Sequence, residues 1–302
     1  MSTTARRLAP AALLVPMLLL SSCGSESDDG DSGDSPGSTG SAVSPGAVEG
    51  FPLPADAEHV HGIVADPKSD GLLLGTHYGV YRVTGAGDDV KAELISPVMD
   101  YMGLAEAGPD RLVASGHPGE GTTDLPNPVG LLESTDGGET WTTLSRAGQS
   151  DFHALAASED TVIGFDGSLV ATDDGKKWRE LDADVTAISL AISADSQTVV
   201  ATTQQGLRRS TDGGTSFTDV DGAPMLALVD WSQGDTVVGI DPVGTVHRSD
   251  DAGATWSEVG SAEGPPEAFH ADPDHIAAVV NGMLVVSTDG GASFGPPRLS
   301  GD

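Results

Sequence analysis

From residue 51 onward the apolar positions fall in short runs. Some alternate with polar residues, others are continuous, and each ends at Gly, Asp or Pro. This pattern predicts short antiparallel strands and few helices. The first unit reads as strands over 60–65, 71–75, 79–83 and 92–95, and the second over 102–105, 111–115, 130–133 and 142–144. Upstream the pattern changes. Leu8 to Leu20 form one apolar run behind Arg6 and Arg7, shorter than a comfortable membrane span. Residues 24–50 are rich in Gly, Ser, Pro, Asp and Glu and contain no aromatic residue, Lys or Arg.

The strands are organised by a repeat. The segment Ser134-Thr135-Asp136-Gly137-Gly138-Glu139-Thr140-Trp141 returns, with variations, from Ala171, Ser210, Ser249 and Ser287, a period of roughly 38 residues. Such a segment suits a hairpin turn: its Asp accepts hydrogen bonds from turn amides, and its Gly adopts positive φ. A degraded copy is Thr84-Gly85-Ala86-Gly87-Asp88. The pattern S-x-D-x-G-x-x-W resembles the Asp-box, or BNR, repeat of the sialidase and sortilin propellers. The resemblance implies an all-β, six-bladed β-propeller of four-stranded antiparallel blades, with Asp-box turns between the third and fourth strands. It also implies a structural role for Asp136, Asp173, Asp212, Asp251 and Asp289, on the face opposite the usual site. Residues 51–302 are expected to form this propeller, with Phe51–Pro54 adding an outer strand to the last blade or the ring closing by packing alone.

Leu20-Ser21-Ser22-Cys23-Gly24 resembles a bacterial lipobox, which implies cleavage after a signal peptide at 1–22 and lipid attachment to Cys23. This is the only cysteine, so it has no disulfide partner. Residues 23–50 then read as a lipidated cysteine and a disordered acidic tether with a reach of about 25–30 Å. The expected location is the outer face of a cell membrane. The 302 residues carry 46 acidic and 14 basic side chains, a net charge of −32. Nucleic acid and anionic lipid surfaces are therefore poor partners, because like charges repel them. The chain is expected to be a monomer.

Unusual residues cluster at one end of the inner strands. His59-Val60-His61-Gly62-Ile63 aligns with Asp100-Tyr101-Met102-Gly103-Leu104 and with Asp151-Phe152-His153-Ala154-Leu155. Period-two alternation points His59 with His61, Asp100 with Met102, and Asp151 with His153. His77 and His117 fall in equivalent connections between second and third strands, and His270 falls in the sixth inner strand. The one long interruption of the repeat, 116–128, lies on the same face and carries Asn127. We therefore expect a top-face site. His59, His61, His153, His270 and Met102 are its metal ligands, and His77, His117, Asn127, Asp100 and Asp151 are further ligand-binding residues. Imidazole with carboxylate suits zinc or copper, and a thioether leans towards copper(I).

The Asp-box resemblance also raises glycoside hydrolysis. The sialidase pattern of three substrate-holding arginines and a Tyr–Glu pair is missing, and Tyr101 alternates away from Asp100 and Met102. A non-sialidase hydrolase needs only two carboxylates, for which Asp100 and Asp151 are the candidates. The reading favoured here is a membrane-anchored binding module with a transition-metal site. Its alternatives are a glycosidase acting on a glycan and a scaffold for an envelope protein.

Overall fold

A computed structural model describes residues 49–57, 59–181 and 184–299. The chain divides into two units, Met1–Val43 and Ser44–Asp302, and every described element lies in the second. Cys23, the signal segment and the tether up to residue 48 lie outside the described residues.

The described elements are twenty-four strands and two 3-10 turns. A short strand, β1 (Phe51–Pro52), precedes the first blade. Blade 1 holds β2 (Val60–Ala65), β3 (Leu72–Thr76), β4 (Gly79–Thr84) and β5 (Lys91–Leu94). Blade 2 holds β6 (Met99–Glu106), β7 (Leu112–Pro118), β8 (Leu131–Ser134) and β9 (Thr142–Ser145). Blade 3 holds β10 (Ala154–Ala157), β11 (Val162–Phe165), β12 (Leu169–Thr172) and β13 (Trp178–Glu180). Blade 4 holds β14 (Ser189–Ile192), β15 (Val199–Thr203), β16 (Gly206–Ser210) and β17 (Thr218–Asp219). Blade 5 holds β18 (Leu228–Gln233), β19 (Thr236–Ile240), β20 (Thr245–Ser249) and β21 (Ser257–Ser261). Blade 6 holds β22 (Pro266–Ala271), β23 (Ile276–Val280) and β24 (Met283–Ser287), and its fourth strand is β1. Each blade is a four-stranded antiparallel meander, so the fold is the expected six-bladed β-propeller.

The ring closes by strand exchange: Phe51 pairs with Leu284 and Pro52 with Met283. The C-terminal segment adds a second tie. Leu299 is buried and donates its N–H to Gly85 O of blade 1 at 3.0 Å, while Ala86 bridges to Arg298. Chain ends from opposite sides of the sequence thus hold blades 6 and 1 together.

Burial explains the mixture of alternating and continuous apolar runs. Each blade packs both faces against its neighbours, and the six apolar clusters lie between consecutive blades. The middle strands β3, β15 and β23 are therefore buried at every position. Burial of this apolar area, at roughly 25 cal/mol per Å², is the main force holding blade to blade.

The repeated Ser-x-Asp segments form the turns that their composition predicts. Ser134 Oγ accepts the Gly138 N–H at 2.9 Å, and the same bond joins Ser210 to Gly214, Ser249 to Gly253 and Ser287 to Gly291. Asp136 Oδ1 accepts the Thr140 N–H at 2.9 Å. Gly138 has φ +83°, which a side chain would strain. Trp141 Nε1–H donates to Gly138 O at 3.0 Å, tying the aromatic to its own turn. Hydrogen bonds from Ser216, Thr255 and Ser293 hold Asp212, Asp251 and Asp289 down to about 2. These carboxylates are occupied by their own turns, which leaves the opposite end of the blades for a site.

Candidate functional site

The six inner strands β2, β6, β10, β14, β18 and β22 surround an axial channel of about 550 Å³. We call the N-terminal ends of these strands the mouth; His61 and His153 line the channel there, and the Ser-x-Asp turns lie at the other end. The mouth is built by irregular backbone. Val60 pairs with Thr76 and Gly62 with Gly75, so His61 is the extra residue of a β-bulge. Met102 is the extra residue at the same place in β6. A bulge re-aims its side chain and breaks the simple alternation that the sequence suggests. His59 sits just before β2 at φ +59°.

The turn after β3 supplies His77, whereas His117, expected in the equivalent connection, lies inside β7 and pairs in register with Asp100, because β7 runs two residues further than β3 past the bulge. His77 Nδ1 lies 2.9 Å from Asp100 Oδ1 of the next blade, without hydrogen-bond geometry. The His61 and His77 rings are 4.6 Å apart, and His59 and His77 are 5.5 Å apart. His61, His77 and Asp100 each offer one ligand atom, all within 4.8 Å of one another. Among the described residues this is the only such group. His61 Nε2 and Asp100 Oδ1 are buried with no hydrogen-bond partner, although buried polar atoms are normally paired. Burial and the neighbouring His77 hold His61 below the usual imidazole range, outweighing the opposite pull of Asp100. A neutral imidazole is the form that ligates metal.

The same arrangement recurs one blade on. His117 Nε2 lies 3.0 Å from Asp151 Oδ2, and Asp151 Oδ2 also lies 3.4 Å from His153 Nδ1. His117 Nδ1 is 2.7 Å from Asn127 Oδ1, so the long loop does reach the mouth. Burial opposes charge on His117, but Asn127 and Asp151 together raise it above the usual imidazole range. The candidate residues of blades 1, 2 and 3 therefore lie together at the mouth.

His270 does not join them. It lies deep in the channel, 5% exposed, with Nδ1 2.9 Å from Asp230 Oδ2 and Nε2 3.2 Å from Asp272 Oδ2. The register gives the reason. Ala268 pairs with Val279 as Gly62 pairs with Gly75, so the bulge of β22 falls at Glu267 and His270 matches Val64, not His61. Both of its nitrogens are taken by carboxylates. Those hydrogen bonds push it up to about 10 against the opposing effect of burial. Asp230, Asp272 and Glu106 at this lower cluster were not singled out from the sequence. Asp230 and His270 do occupy the same place in consecutive inner strands: Asp230 pairs with Val238 and His270 with Ala277, each the residue after the one that pairs with the turn serine, Val237 with Ser249 and Ile276 with Ser287. Aligning the repeats by register would have found that pair.

Tyr101 is buried against Trp141, 5.4 Å between centroids, and burial raises its phenol far above the usual value. It is a core residue and not a nucleophile. Arg146 stacks over Trp178 at 5.3 Å and pairs with Asp166 at 3.2 Å, which engages its guanidinium in structure. Blades 4 and 5 differ: Ile188, Met225 and Val243 are exposed on their connections.

No family model matches this sequence, and no curated protein matches it. Solved propellers do resemble its fold. A GH74 enzyme from Niastella koreensis is 18% identical, with a TM-score of 0.56 over 82% of this chain and 45% of that one, so this chain spans under half of its length. A gluconolactonase from Xanthomonas campestris is 13% identical, with a TM-score of 0.59 over 82% of this chain and 97% of that one. YCF48 bound to D1 peptide is 19% identical, with a TM-score of 0.50 over 84% and 86%. Likeness at these identities defines the class as a β-propeller and says nothing of chemistry.

Proposed function

We propose that this chain is a metal-binding propeller whose ion is held by His61, His77 and Asp100. The observation that carries this reading is a group whose ligand atoms lie within 4.8 Å of one another, in which His61 Nε2 is buried with no hydrogen-bond partner and the buried Asp100 Oδ1 meets His77 Nδ1 at 2.9 Å without hydrogen-bond geometry. Two imidazoles and one carboxylate suit zinc, copper or iron, and three protein ligands leave a coordination position for an incoming ligand. His59 stands beside the group, and the channel gives it access.

The test is equilibrium uptake of zinc(II) and copper(I) by the full chain. His61→Ala and Asp100→Asn are expected to weaken binding by more than the roughly 10–100-fold that loss of an outer partner costs. Absence of uptake, or unchanged affinity in both variants, would rule the site out. In that event the exposed Ile188, Met225 and Val243 would favour the second reading, a protein-binding scaffold. The glycosidase reading has less support, because Asp100 and Asp151 each face an imidazole and not an apolar pocket that would keep one as an acid.

The Ser22-Cys23-Gly24 signal supports carriage of the propeller on the outer face of a membrane by a lipid on Cys23. Among the described residues no helix is long and apolar enough to cross a membrane. Labelled palmitate is expected to enter the expressed chain and to be lost in Cys23→Ser. Equal labelling of both chains would exclude this anchor.

A further inference from the structure

We propose that the mouth holds a second metal ion, in a copy of the first site displaced by one blade. The ligands are His117 and Asp151, with Met102 in the place that His61 takes in the first. This rests on the metal reading above and goes beyond it in number and kind of ion.

The first site has three structural parts. They are a bulge residue of the inner strand (His61), a histidine in the following connection (His77), and an aspartate at the start of the next inner strand (Asp100). Register reproduces the first part, and the spacing along the chain reproduces the other two. Met102 is the bulge residue of β6, one residue before Gly103, which pairs with Ser115 as Gly62 pairs with Gly75. His117 follows Gly116 as His77 follows Thr76. Asp151 stands three residues before Ala154, the first residue of β10, and faces His117 across the blade boundary at 3.0 Å, against 2.9 Å in the first site.

Two further observations mark a ligand site and not a plain ion pair. Asp151 Oδ1 is buried with no hydrogen-bond partner, as Asp100 Oδ1 is. His117 has its Nδ1 fixed by Asn127 Oδ1 at 2.7 Å, which leaves Nε2 as the atom turned to the site. A metal-bound histidine usually donates its other ring N–H to such an acceptor, which fixes its tautomer and aim. His153 Nδ1, 3.4 Å from Asp151 Oδ2, stands by as another nitrogen donor.

The donor sets differ in softness. Exchanging one imidazole for a thioether moves preference towards copper(I). The second site should therefore favour copper(I) over zinc(II), and the first, with two imidazoles and a carboxylate, should take either.

The experiment measures copper(I) bound per full chain, with Met102→Leu and His117→Ala beside His61→Ala. The expected result is two equivalents in the native chain. One should be lost in His117→Ala and the other in His61→Ala. Met102→Leu keeps volume, so the fold should be retained. It should weaken the second equivalent at least 10-fold and remove sulfur scattering from the copper X-ray absorption spectrum. Thermal melts check that His117→Ala is folded. One equivalent, insensitive to Met102→Leu and His117→Ala but lost in His61→Ala, would overturn this inference and leave the first site standing. Two equivalents with no change in either blade 2 variant would also overturn it. No copper or zinc at all would overturn both.

Discussion

His270→Ala is expected to destabilise the propeller by about 3–5 kcal/mol, the usual result of stripping one partner from a buried ion pair. His270 joins β22 to Asp230 on β18 and to Asp272, and its charge also acts on Glu106 across the channel. Removing it leaves three carboxylates facing one another at the lower end. Burial already pushes Glu106 up, and His270 is the main influence opposing that. For a domain of this size the loss amounts to a melting temperature lower by on the order of 10 °C. The pH dependence has a definite sign. The folded value is raised from 6.5 to about 10, so the stabilisation is complete below 6.5 and is lost as pH rises through about 10. Thermal melts at pH 6 and pH 10 provide the check. The native chain should lose stability over that interval, and the variant should lose much less. Equal melting temperatures of variant and native chain at pH 6, or parallel decline in both, would count against a charged His270.

Gly116→Ala is expected to damage the mouth more than any other single methyl group added there. Gly116 has φ +150°, and a Cβ built on it would stand 1.9 Å from Asp100 O. That oxygen belongs to backbone, so the contact is relieved only if β6 and β7 separate where Asp100 and His117 are paired. A cost of about 1–3 kcal/mol follows from such overpacking. Because the displaced residues carry ligand atoms of both proposed sites, copper(I) and zinc(II) affinity should fall at least 10-fold. Calorimetric unfolding and metal titration on the same preparation test this. A variant with native melting and native affinity would show that the two strands separate freely at this point, contrary to the packing described.

These two outcomes depend on contacts of very different legibility. The turns were legible because each is completed within about eight residues: Ser, Asp and Gly act on their own neighbours, and no distant chain is needed. The inner strands were legible for a related reason. Repeats of one length stack in one way, so His61, Met102 and His153 could be aligned before their positions in space were known. Asp136, Asp212, Asp251 and Asp289 serve their turns as expected, through hydrogen bonds to Thr140, Ser216, Thr255 and Ser293, but in blade 3 Asp174 takes the place expected of Asp173: it accepts the Lys176 and Lys177 N–H groups, while Asp173 pairs with Arg179.

What the sequence determined by itself was periodic and local: the blades, their turns, and the end of the inner strands that gathers histidine, aspartate and methionine. Only the tertiary structure decided which of those side chains meet. His77 pairs with Asp100 across a blade boundary, and a one-residue bulge at His61 aims it at that pair. Such a bulge leaves no trace in a hydrophobic pattern, because it shifts register without changing composition. The same slip placed His270 beside Asp230 instead of at the mouth. Ring closure belongs to this class as well. Phe51–Pro52 joins Met283–Ser287 because only closure of the whole circle brings the two ends of the chain within hydrogen-bonding distance.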